Sequence, residues 1–169
     1  MSWHDFYRRQ SAIQAVLDHA TAHPSDELAL EAVPQASEVF ATTGELLRAL
    51  HYKWTQLLTG RIGIALADAD ADPRVDRVQA VTTAWRRTAA GNPDLRAVLD
   101  RHAGAPALRP ALEREQRMLA LASGLAEHSE PDEEISRVGA AFLSLMRGTP
   151  KHTERSTCAL RLRKLIPSS

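Results

Sequence analysis

Two charged residues of this sequence fall where a helical pattern asks for apolar ones. Arg61 shares an arc with Leu50 and Trp54 in the run ELLRALHYKWTQLLTGRIGIALAD, from Glu45 to Asp68. Glu115 shares another with Leu108, Leu119 and Ala122. An ionised side chain buried alone is strongly unfavourable. The pattern therefore predicts that the two meet inside the protein as an Arg–carboxylate pair, the geometry a guanidinium fork suits best. Such a pair either fixes the register of two helices or floors a ligand pocket, with Arg61 available to an anionic group. Gly60 and Gly63 lie beside Arg61 in the chain. Glycine in a helix interior costs ~1 kcal/mol relative to alanine, so two together imply that another backbone, or a ligand, comes close. Trp54, Gly60, Arg61, Gly63 and Glu115 are accordingly the candidate ligand-binding residues.

The remaining chemistry-bearing residues form weaker patterns. His19 and His23 are four apart, a spacing that presents two imidazoles on one helix face to a metal. Pro24 follows at once, however, and histidines in a last turn also complement the helix dipole. There is no H-E-x-x-H and no repeated E-x-x-H. In DADADPRVD, the residues Asp68, Asp70, Asp72 and Asp76 have the offsets of a calcium loop. That loop needs glycine at its sixth position and glutamate at its twelfth, where this chain has Pro73 and Gln79. An acidic joint capped by Asp72 is the plainer reading. His51 and His102 lie on or beside apolar faces, as general bases or as buried, hydrogen-bonded histidines. No G-x-S-x-G and no glycine-rich phosphate loop occurs. A single cysteine, Cys158, excludes an intrachain disulfide and a multi-cysteine zinc site. No catalytic residue, metal ligand or cofactor is expected.

These residues must be positioned by helices. The run from Glu45 to Asp68 is the longest pattern, with Leu46, Leu47, Leu50, Trp54, Leu57, Leu58, Ile64 and Ala65 on one wide arc. Thr42 and Glu45 form a capping-box pattern at its start. Before it, Trp3 to about Ala22 is helical, with Trp3, Phe6, Ile13, Val16, Leu17 and Ala20 on one side. Ser25 then caps a short helix through Val33 that Pro34 ends. After it, Asp72 and Pro73 open a helix with Val75, Val78, Val81, Trp85 and Ala89 in a stripe, ended by Gly91. Asn92 and Pro93 start a short helix with Leu95, Val98 and Leu99, closed by Gly104. The next helix spans about Leu108 to Glu127, with Leu125 on its apolar face. Ser129 and Pro131 open the last, with Ile135, Val138, Phe142, Leu145 and Met146, ended by Gly148. The expectation is an all-α, antiparallel bundle of about five long helices plus two or three short ones. It forms one domain over residues 1–150, with a partly helical basic tail over 151–169.

Formal net charge is zero, which disfavours a nucleic-acid partner. From Arg147 onward six basic residues face Glu154 alone, so this end carries +5 and the remainder −5. That asymmetry suits a tail folding back or making a dimer contact. No apolar signal core precedes the first helix and no stretch is long enough for a membrane span, so a cytoplasmic location is expected. The run AWRRTAAGNPDLRAVLDRH, from Ala84 to His102, is similar to stretches in the ligand-binding halves of tetracycline-repressor-type regulators. The resemblance implies an all-helical and often dimeric domain. It covers under a fifth of the chain, no site residue is carried over, and no helix-turn-helix pattern opens this sequence. The absence of a recognisable catalytic set points to a non-enzymatic interaction or regulatory module that self-associates or binds a protein partner. The alternative is a small-molecule-binding bundle with a polar pocket near Gly60, Arg61 and Glu115.

Overall fold

The computed structural model describes residues 3–23, 28, 30–72 and 74–148. The basic tail, Cys158 and Ser25 lie outside the described residues. The elements are α1 (Trp3–Ala22), a 3-10 turn (Leu30–Ala32), α2 (Pro34–Ser37), α3 (Thr43–Ala71), α4 (Arg77–Gly91), α5 (Pro93–Arg101), α6 (Arg109–Ser123) and α7 (Asp132–Gly148). This is an all-α bundle: α1, α3, α4, α6 and α7 are long, α2 and α5 are short, and no strand occurs among the described residues.

The helix ends follow from local chemistry. Thr42 is extended and its hydroxyl accepts the Glu45 N–H at 3.1 Å. The Glu45 carboxylate reaches back to the Ala41 N–H at 3.1 Å, one residue beyond the usual capping-box partner. Pro34 begins α2 rather than ending a helix, since its fixed φ and missing N–H suit a first turn. Asp76, not Asp72, caps α4: its carboxylate accepts the Val78 and Gln79 N–H groups. Asp72 instead closes α3 and takes the Arg74 side chain and N–H, which together hold its carboxyl below the ordinary range. Gly124, at φ +72°, ends α6 earlier than expected. The Gly124 N–H bonds to Leu121 and the Leu125 N–H to Ala120, a Schellman closure that leaves Leu125 exposed.

Most of the core is one cluster drawn from α1, α3, α4, α5, α6 and α7 around Leu50, Trp54 and Leu58. The most extensive helix pairings are α6 with α7 and α3 with α4. At the first of these, a Cβ built on Gly139 would collide with the Gln116 backbone carbonyl, so α6 and α7 touch backbone to backbone. Several residues expected inside are outside: Trp3, Phe6, Leu57, Ile64, Val75 and Leu145 are exposed. For α3 the reason is rotational. Its covered face steps by four residues, through Leu50, Trp54, Leu58 and Ile62, and each step turns the face about 40°. By the second half of the helix, Leu57, Arg61 and Ile64 have been turned away from the core.

Candidate functional site

The polar centre of the molecule is assembled from three helices. His51 and Trp54 are one turn apart on α3, so their side chains emerge on the same face. Glu115 arrives from α6 and Arg96 from α5. The Trp54 indole N–H donates to Glu115 Oε1 at 3.0 Å, and His51 Nε2 lies 2.9 Å from Oε2. The Arg96 guanidinium carbon sits 4.7 Å from the centroid of the Trp54 ring, a cation–π contact, while its fork grips Asp100 at 2.9 and 3.1 Å. Trp85 of α4 meets Trp54 edge-on, with ring centroids 6.0 Å apart. All four polar residues are enclosed: relative exposure is 0% for Trp54, 2% for Glu115, 3% for His51 and 5% for Arg96.

Burial alone would raise the Glu115 carboxyl. The hydrogen bonds from His51 and Trp54, with the charges of Arg96 and His51, outweigh it and hold the group below its ordinary range. An ionised Glu115 accepts only, so His51 must carry hydrogen on Nε2. That leaves Nδ1 on the opposite side of the ring, 3.3 Å from the Thr55 hydroxyl, which also bonds the His51 carbonyl. Beside this pair lies a cleft of about 370 Å³ between α3 and α6, lined by Arg48, His51, Tyr52, Thr55, Ala111, Arg114, Glu115 and Met118.

The expected Arg61–Glu115 pair is not formed. Arg61 is exposed, and the Glu115 oxygens are taken by His51 and Trp54. Trp54 and Glu115 come together as bonded neighbours, whereas Gly60 and Arg61 line a separate groove of about 780 Å³ between α3 and α4. Gly63 is exposed, and beyond the adjoining backbone of α3 no atom of the described residues lies within 4 Å of a Cβ built on Gly60 or Gly63. The five candidate residues therefore do not line one pocket. Glu115 is held directly by His51 and Trp54 and, through its charge, by Arg96, a residue the helical pattern passed over. Its signal was the Arg96–Asp100 spacing of four, with Arg96 wedged between Leu95 and Leu99 on a short apolar helix.

The other patterns resolve locally. The His19 and His23 rings stack 4.6 Å apart, with His23 Nδ1 at 3.3 Å from the His19 carbonyl. Asp70 pairs with Arg77 at 3.1 Å across the α3–α4 joint. Among the described residues no three His, Cys, Asp or Glu side chains converge as a metal site, and no helix is long and apolar enough to cross a membrane. No family model, no curated protein and no solved structure matches this chain.

Proposed function

We propose that this chain is a helical interaction module that pairs with a second copy of itself through the groove between α3 and α4. The observation that carries this reading is the outward stripe of α3. Leu57, Arg61, Ile64 and Asp68 recur with alternating steps of four and three, are all exposed, and line one side of the groove. That spacing is the seam of two packed helices. Gly60 also lines this groove, and a Cβ built on it would meet nothing among the described residues beyond its own helix, so a second backbone can come close there. Arg61 and Asp68 have no ion-pair partner among the described residues. They lie two turns apart with opposite sign, so the stripe is self-complementary. An antiparallel crossing of two α3 helices, with its two-fold axis near Ile64 and Ala65, sets Arg61 of each copy beside Asp68 of the other.

Analytical ultracentrifugation of the full chain tests this. The parent is expected to sediment as a dimer. Arg61→Asp alone and Asp68→Arg alone each place like charges together and give a monomer. The double swap restores complementarity and the dimer. A parent that stays monomeric at high concentration, or a single reversal that leaves the mass unchanged, ends the proposal.

A further inference from the structure

On the opposite flank of α3, Arg48 and Arg114 stand one on each wall of the α3–α6 cleft. Both are exposed, and neither has a charged or hydrogen-bonded partner among the described residues. Arg9, Arg77, Arg117 and Arg147, by contrast, each hold a carboxylate. The same cleft is also lined by the apolar Ala111 and Met118, the buried His51, and Thr55. The one acid there, Glu115, presents no unclaimed oxygen, since Trp54 and His51 occupy both. The cleft therefore offers an anion two guanidinium forks and offers a ligand body an apolar wall.

We propose that this cleft binds a small carboxylic acid with an apolar body, its carboxylate between Arg48 and Arg114 and its body against Ala111 and Met118. A carboxylate suits it better than a phosphate. Phosphate sites draw on free backbone N–H groups at a helix N-terminus. Here the first turn of α6 has none to give: Pro110 lacks one, Arg109 bonds to Pro106, and Ala111 and Leu112 bond to Leu108. The α3 wall lies in the helix interior, where every N–H is used within the helix. The volume of about 370 Å³ limits the ligand to a compact molecule such as an arylacetic or branched short-chain acid.

The indole N–H of Trp54 is a built-in reporter, because it bonds to Glu115 at the cleft while the exposed Trp3 lies on another helix. Nitrogen–proton correlation spectra of the full chain are recorded during titration with phenylacetate, isovalerate, phenylacetamide and inorganic phosphate. At least one of the two carboxylates is expected to move the Trp54 indole signal in a saturable way and to leave that of Trp3 in place. Phenylacetamide and phosphate are expected to bind at least tenfold more weakly, and Arg48→Gln with Arg114→Gln to lose about tenfold or more in affinity for the acid. Both arginines are exposed, so the double variant keeps its fold, which its melting curve checks. The proposal is overturned if neither acid moves Trp54 at millimolar concentration. It is equally overturned if the amide or phosphate binds as well as the acids, or if the double variant binds like the parent.

Discussion

The two halves of α3 carry similar apolar patterns and meet different fates. From Leu46 to Leu58 one broad face of the helix is enclosed, with Leu46, Leu47, Leu50, Trp54 and Leu58 in the core and even His51 buried. From Gly60 onward Ile62 and Ala69 remain covered, while Gly60, Arg61, Gly63 and Ile64 face outward, Ile64 with 68% of its surface exposed. The difference is made by the neighbours. α5 and α6 bring Arg96, Glu115 and Leu119 to the first half, whereas among the described residues the groove side of the second half faces α4 and the turn at Val75. An apolar period shows that a helix has a face to cover. Which stripe is covered, and by what, is decided by the helices that arrive.

Truncation should separate the halves most sharply. Trp54→Ala removes a wholly buried ring, the donor to Glu115 and the platform beneath Arg96, and is expected to cost ~3–5 kcal/mol. Ile64→Ala is expected to stay within ~0.5 kcal/mol in the monomer, as exposed positions do. Urea denaturation at low protein concentration compares the two. Equal costs would erase the contrast between the halves.

Charge removal makes the same comparison with a somewhat smaller effect. Glu115→Leu strands the Trp54 and His51 N–H groups and leaves Arg96 with less compensation, at about 3 kcal/mol. Arg61→Met, in the open half, should be close to neutral in the monomer. The two substitutions should also add without coupling, because the side chains do not meet. Acid sharpens the point. Glu115 titrates lower in the fold than its ordinary value of 4.5, so its contribution is complete above that value. It is lost as pH falls through the lower folded value. The stability gap between the parent and Glu115→Gln should therefore close below pH 4.5. A gap that stays constant with pH would mean the carboxylate is not held ionised by this network.

Much of the fold was legible, and the places where it was not have physical causes. α1 ends at Ala22 as its period predicts, and Gly91 closes α4 as a helix-stopping glycine should. Thr42 caps α3 because a threonine before a helical run with glutamate three residues on leaves few other choices. The α3–α4 joint misled because Asp72–Pro73 and Asp76 are both competent caps. Asp72 turns back onto Arg74, so Asp76 starts the helix. Of the candidate site, the burial of Glu115 and its contact with Trp54's helix were foreseeable from one acid on an apolar face. Its partners were not: a rotation of about 40° per four residues carries Arg61 outward on α3, and His51 and Trp54, nearer the start of the same helix, take the carboxylate.

Glycines separate the closed and open regions on a finer scale. Gly139 sits where α6 and α7 touch, so Gly139→Ala forces the Gln116 backbone away and should cost ~1–3 kcal/mol or more. Gly60 is the counterpart with nothing against it. In the monomer, Gly60→Ala adds a methyl to open space and removes the conformational cost of a mid-helix glycine, so stability should rise by up to ~1 kcal/mol. In the proposed dimer the same methyl stands between two α3 backbones and weakens the contact. The substitution should therefore show both signs in one protein: a higher urea midpoint when dilute, and a larger dimer dissociation constant by sedimentation. A gain in stability with association unchanged would leave Gly60 as an ordinary exposed glycine and move the interface elsewhere. A loss of stability in the dilute monomer would mean that this stretch of α3 is covered after all, and the two halves would no longer differ.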